Sequence, residues 1–217
     1  MKFESTLMFS TLFAIVLTFA VGVSAAPQKV ACVGDSITFG ATIKDRNKNS
    51  YPAQLQKLLG DQFLVKNFGV NSATLLKKGN RPYWETDRFK PSHKFNPDIV
   101  IIKLGTNDTK PDNWKHISNF IKEYIELVKT YQELPSKPTV YICYPVPVYR
   151  TTWGINEKNI KEEMAMIKKI AEKTGASIID LHKPMSNKES YYSGDKIHPN
   201  AKGAGVIAET IAGIIKK

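Results

Sequence analysis

Cysteine is scarce in this chain. Cys32 and Cys143 are the only two in 217 residues, too few for a disulfide-stapled miniprotein or a cysteine-rich zinc module. Arginine is scarce as well. Of 31 basic residues, all but Arg46, Arg81, Arg88 and Arg150 are lysines, and against 20 acidic residues they leave a net charge of +11. Nucleic-acid readers gather arginine and aromatics into one stripe. Here the lysines are dispersed along the chain, which describes a solvated lysine-rich surface and argues against a nucleic-acid partner. Internal repeats, low-complexity tracts and dividing linkers are all missing, so the length is that of one domain. No glycine-rich phosphate fingerprint follows any apolar run, which disfavours nucleotide binding. What is present is 42% apolar and 10% aromatic residues, enough to bury a core and too much for a disordered chain.

The N-terminus stands apart. Lys2 precedes an apolar run from Leu7 to Val23, then Ser24-Ala25-Ala26-Pro27. Small residues at Val23 and Ala25 suit signal peptidase, so residues 1–25 are expected to be a signal peptide and 26–217 the folded domain. The expected location is periplasmic or secreted, without stable membrane insertion once the signal is cleaved. The competing reading is a retained anchor, because the run is nearly long enough to cross a bilayer.

From Pro27 onward strand and helix patterns alternate. Val30–Val33, Phe63–Phe68, Ile99–Leu104, Val140–Cys143 and Ser177–Leu181 are short, rich in Val and Ile, and bounded by Gly, Pro, Asp or Asn, as buried parallel strands are. Helices are expected over Pro52–Leu59, Trp114–Thr130, Asn156–Lys173 and Pro199–Ile215. The third carries a core-facing stripe of Ile160, Met164, Ile167 and Ile170. This alternation predicts an α/β fold, a single three-layer α/β/α sandwich around a five-stranded, mostly parallel sheet.

Ligands of such sheets sit beyond the carboxyl ends of the strands. The residues found there are Gly34-Asp35-Ser36-Ile37, Asn67-Phe68-Gly69, Gly105-Thr106-Asn107-Asp108 and, after the last strand, Asp195-Lys196-Ile197-His198. Together they suit acyl transfer. Ser36 can attack a carbonyl once a base takes its proton, His198 is a side chain suited to that task, and Asp195 can orient the imidazole. The N–H groups of Ser36 and Gly69 and the amide of Asn107 can meet an oxyanion. Each residue also has a plainer reading: Ser36 as a helix cap, Asp195 as a turn former, His198 as a helix-entry residue before Pro199. Asp108 can hold the loops around Ser36 by hydrogen bonding, or serve simply as a turn residue after Asn107. The remaining histidines, His93, His116 and His182, lack partners at metal-ligand spacing, so no metal is expected.

These four segments, in this order, resemble the blocks of the SGNH hydrolases, also called GDSL esterases or lipases, over nearly all of the mature chain. The resemblance implies a flavodoxin-like fold, with Ser36 as nucleophile, Gly69 and Asn107 in the oxyanion hole, His198 as base and Asp195 completing the triad, and no cofactor. Two departures stand out: Ile37 where the family name has Leu, and Ser72 where the second block often has another Gly. The strand order it implies pairs the first strand with the second and third. Cys32 and Cys143 then lie two strand spacings apart, roughly 9–10 Å and beyond disulfide reach, so both are expected as free thiols.

Substrate is less legible. No long apolar groove or lid is evident between Asn71 and Phe95. Arg81 and Trp84 in that stretch, and Tyr149 and Trp153 after the fourth strand, suit the mixed faces of sugars. The chain is similar to exported bacterial esterases of polysaccharide breakdown, the sialate and xylan acetylesterases, which implies removal of O-acetyl groups from carbohydrate, with a small-molecule or polysaccharide ester as the partner. A lysophospholipase or thioesterase is the alternative hydrolase. A carbohydrate-binding protein without catalysis is the alternative of another class.

Overall fold

The computed structural model describes Met1 and residues 26–216; residues 2–25, the body of the expected signal peptide, lie outside them. Five strands form the sheet: β1 (Gln28–Gly34), β2 (Phe63–Gly69), β3 (Ile99–Lys103), β4 (Thr139–Tyr144) and β5 (Ser177–Asp180). Their order is β2-β1-β3-β4-β5, and every pairing is parallel. The first strand therefore pairs with the second and third as expected, and the sheet is wholly rather than mostly parallel.

Alternation along the strands builds two cores. Ala31, Val33, Val100, Ile102 and Ile142 face one side, where they meet α3 (Phe120–Gln132) and α4 (Glu157–Thr174). Val30, Cys32, Ile99, Ile101 and Ile179 face the other, against α2 (Tyr51–Leu59) and α5 (Ala201–Ile215). The result is the expected three-layer sandwich. Cys32 and Cys143 are both buried and unbridged, and burial pushes both thiols up, Cys143 to about 12.

Helix boundaries follow local chemistry. The Asn156 side chain accepts the Asn159 N–H to open α4, and Gly175, at φ 72°, ends it; Asn200 caps α5 by accepting from Lys202 and Gly203. These are the common N-cap and left-handed C-cap solutions. The helix expected over Trp114–Thr130 is instead broken. A turn at Pro111–Trp114 and a 3₁₀ turn at Ile117–Asn119 precede α3. Asn113 explains the break: its buried side chain donates to the Asn107 carbonyl and accepts the Asn80 N–H, which ties that turn to loops rather than to a continuing helix. The α4 stripe is also corrected. Its buried positions are Ile160, Glu163, Ile167 and Ile170, while Met164 is only partly buried. A carboxyl therefore occupies the core-facing stripe.

Glycines at the strand ends let the first loop-helix turn, α1 (Ser36–Phe39), settle on the sheet. Gly34 and Gly69 are paired in register. A Cβ on Gly34 would meet Thr38 Oγ1 at 2.2 Å, and one on Gly69 would meet the Phe39 nitrogen at 2.2 Å. Only glycine permits that backbone approach.

Candidate active site

Asp35 caps α1, its Oδ1 accepting the Ile37 N–H at 2.9 Å. This sharp strand-to-helix turn lifts Ser36 to the carboxyl edge of the sheet. Ser36 Oγ lies 2.8 Å from His198 Nε2, and His198 Nδ1 lies 2.8 Å from Asp195 Oδ2. The other oxygen of Asp195 accepts the N–H groups of Ile197 and His198. Burial raises the Asp195 pKa, but the backbone and ring donors of His198 and the Ile197 N–H outweigh it, and the net direction is down. The carboxylate is thus held ionised and aimed at Nδ1. With that nitrogen carrying the proton, Nε2 is left to accept from the Ser36 hydroxyl. Such a chain can take a proton from the serine as the serine attacks a carbonyl.

The Asp195–His198 turn is braced by the loop after β4. Tyr149 N–H donates to the Lys196 carbonyl, Arg150 to that of Gly194, and Thr152 Oγ1 to that of Asp195. Trp153, at φ 53°, sets its ring edge-on to His198 with centroids 6.0 Å apart.

Below α1 lies a buried ion pair. Lys103, 1% exposed, reaches Asp35 Oδ2 at 3.1 Å and Thr106 Oγ1 at 2.7 Å. One ammonium therefore joins the residue before Ser36 to the residue before Asn107. Asp108, fully buried, accepts the N–H groups of Leu75 and Leu76, so it does hold the loop that follows Gly69. Burial pushes its carboxyl up to about 7 against those two donors.

The cavity beside Ser36 has a volume of about 340 Å³ and is lined by Ser36, Ala41, Asn71, Ser72, Thr106, Asn107, Lys110, Trp153, Ile155, Ile197 and His198. Asn107 gives one amide hydrogen to the Ala73 carbonyl at 3.1 Å, which leaves the second for the cavity. Gly69 is not in this cavity, contrary to expectation. Its N–H donates to Asn67 Oδ1 at 2.9 Å, and it lines a separate cleft of about 490 Å³ beside Phe39, Arg46 and Arg88. The oxyanion expectation for Gly69 is corrected on that ground: its donor is spent, and its missing side chain serves the packing of α1. The second-block residue that does line the cavity is Ser72, in the left-handed region at φ 60°. Its place in the block, noted in the sequence as a departure from Gly, was the available signal.

Of the four aromatic and basic residues expected on the substrate side, Trp153 alone lines the cavity, and at 60% exposure its ring is open to solvent. The other three are corrected. Trp84 donates to the Leu75 carbonyl and packs on Phe89. Tyr149 donates to the Met185 carbonyl and sits edge-on to Tyr192. Arg81 holds the Asn71 carbonyl from outside the cavity at 3.0 Å. Each is anchored to scaffold groups. The sequence reading missed Lys103, whose signal was a lysine ending an otherwise apolar strand, and Lys110, which no local pattern marked.

Residues 32–206 match the model of the GDSL-like lipase/acylhydrolase family. The chain belongs to that family. It is 42% identical over 206 residues to an acetylxylan esterase of Xylanibacter ruminicola, covering 87% of this chain and 43% of that one. The chain thus spans less than half the length of that relative. A carbohydrate acetylesterase from Sinorhizobium meliloti superposes with a TM-score of 0.69 at 20% identity, covering 87% of this chain and 98% of that one. A putative arylesterase from Agrobacterium tumefaciens has the same TM-score, 0.69, at 19% identity, with the same coverage of 87% and 98%. At those identities the two structures establish a shared fold.

Proposed function

We propose that this chain is a serine esterase that removes O-acetyl groups from carbohydrate through an acyl-enzyme intermediate. The observation that carries this reading is the Ser36–His198–Asp195 relay, with both contacts at 2.8 Å, opening onto a cavity that holds Asn107. The 42% identity to an acetylxylan esterase supports the acyl group and the carbohydrate.

Ser36 Oγ attacks the ester carbonyl while His198 Nε2 takes its proton, and Asp195 stabilises the resulting imidazolium. The oxyanion receives the N–H groups of Ser36 and Ser72 and the free amide hydrogen of Asn107. Collapse of the tetrahedral adduct expels the sugar oxygen, which leaves with the proton from Nε2. Water then enters, loses a proton to the same nitrogen and attacks the acyl-serine, releasing acetate and restoring Ser36. Trp153, exposed at the rim, offers a flat face to the sugar. Ile155 and Ile197 supply apolar wall for a methyl group.

Hydrolysis of chromogenic acetyl, butyryl and octanoyl esters by the mature protein tests the reading. The expected order of kcat/KM is acetyl, then butyryl, then octanoyl, because a short cavity gains nothing from a longer chain. An octanoyl preference would replace it with the lysophospholipase or thioesterase reading, and no turnover at all would favour the binding protein. Export through residues 1–25 belongs to the same proposal, and sequencing the N-terminus of the mature protein tests it: cleavage after Ala25 is expected.

A further inference from the structure

Lys110 is partly buried, lines the cavity that holds Ser36, and follows Asn107 by three residues. Its backbone is pinned there, since its N–H donates to the Asn107 carbonyl at 3.2 Å. Among the described residues its ammonium has no hydrogen-bond acceptor and no ion pair within 4.0 Å. The carboxylates that influence it, Asp35 and Asp108, are already engaged: the first by Lys103 and the Ile37 N–H, the second by the Leu75 and Leu76 N–H groups. Burial pulls the Lys110 pKa down, against the pull of those two groups. A cation partly withdrawn from water without a partner is disfavoured, and its natural complement is an anion brought by the substrate. Apart from His198, the cavity walls bring no other titratable side chain.

Resting on the esterase reading above, we infer that Lys110 selects ester substrates carrying a negative charge close to the acylated position, and that the class it serves is O-acetylated carbohydrate bearing a uronic acid. Lys110 and Asn107 ride on one short segment, so an anion held by the ammonium is positioned relative to the carbonyl that Asn107 meets. A lysine suits this role as a compact charge on a flexible stem, able to follow a carboxylate on a neighbouring sugar ring. The sugar source is favoured over a lipid phosphate because the cavity, about 340 Å³, sets Asn71, Ser72, Thr106 and Asn107 beside its apolar residues and includes the exposed ring of Trp153.

The test compares an O-acetylated xylo-oligosaccharide carrying one glucuronosyl group, the same oligosaccharide after reduction of the carboxyl to an alcohol, and a lysophospholipid. The wild type should prefer the charged sugar to its reduced form by roughly 5- to 20-fold in kcat/KM, mostly through KM, with the ratio shrinking as salt is raised. Lys110→Met should bring the ratio to about 1, Lys110→Glu below 1, and Lys110→Arg should keep it well above 1. A wild-type ratio of 1, a ratio that survives in Lys110→Met, or preference for the lysophospholipid would overturn the inference. Turnover of both sugar substrates at equal rates removes the role of Lys110 while sustaining the esterase reading; turnover of no ester removes both.

Discussion

At the level of single residues, the relay makes sharp demands. Ser36→Ala removes the hydroxyl that His198 Nε2 contacts, so labelling by a serine-directed phosphonate should vanish and turnover should fall by several powers of ten. Mass spectrometry of the labelled protein checks the first and ester hydrolysis the second. Asn107→Ala removes one oxyanion donor and should lower kcat by about 10²- to 10³-fold. The fold should be retained, as read by circular dichroism. His198 takes the Ser36 proton, so His198→Ala should lower kcat/KM by several powers of ten in the same ester assay. A rate retained in His198→Ala would remove His198 as base. The second block supplies a contrast between neighbours. Ser72→Gly keeps the backbone N–H and relieves a side chain held at φ 60°, so activity should persist with stability unchanged or higher by about 0.5–1 kcal/mol. Gly69→Ala places a Cβ 2.2 Å from the Phe39 nitrogen and should destabilise by displacing α1. If Ser72→Gly were inactive, a role for the Ser72 hydroxyl rather than its N–H would follow.

At the level of elements, the site is built where α1, the loop after β3 and the turn before α5 that carries Asp195 and His198 meet. Lys103 couples the first two by holding Asp35 and Thr106 together in a setting that excludes water. Removing one member of a buried pair leaves the other charge uncompensated, whereas removing both charges does not. Lys103→Met should therefore cost about 3–5 kcal/mol in denaturant unfolding. The double change Asp35→Asn and Lys103→Met, which retains an oxygen able to cap Ile37, should recover most of that loss. A double variant no more stable than the single one would show that the pair acts through shape rather than charge. The loop after β4 works from outside: through Tyr149, Arg150 and Thr152 it grips the carbonyls of the turn that carries Asp195 and His198. Residues that looked from their chemistry like sugar contacts include one that serves as this scaffold, Tyr149.

For the whole molecule, burial of carboxyl groups shapes stability against pH. Glu163 is fully buried, neither oxygen has a hydrogen-bond partner, and burial with the nearby Asp108 and Asp35 pushes its pKa well up despite Lys103. Asp108, raised to about 7, acts in the same direction. A carboxyl raised on folding contributes stability that is fully present below the ordinary carboxylate range and is lost as pH climbs through the folded value. Asp195, lowered on folding, works oppositely: its contribution is present above the ordinary range and is lost as pH falls through its folded value. Stability should therefore peak at mildly acidic pH and decline toward about pH 7, the folded value for Asp108. Glu163→Gln keeps the shape without an ionising group and should flatten that decline, adding on the order of 1–3 kcal/mol at neutral pH. Denaturant melts of both proteins across pH measure it; identical profiles would remove Glu163 from the account.

Much of this was legible beforehand because its causes are local. Five apolar runs bounded by breakers are enough to specify a parallel sheet with helices on both faces, and Ser36, Asn107, Asp195 and His198 could be picked out because each follows a strand or begins a helix. The sheet order, implied by family resemblance, also placed Cys32 and Cys143 too far apart to bridge. Tertiary structure decided whatever depends on which way a loop turns after its strand. Asn67 captures the Gly69 N–H and leaves Ser72 at the cavity; Leu75 and Met185 carbonyls claim Trp84 and Tyr149; Lys103, Asp108 and Glu163 share one dry region although they belong to three segments. A sequence pattern records polarity and spacing along the chain, but the partner that satisfies a buried donor or charge comes from elsewhere in the chain, and only folding brings the two together.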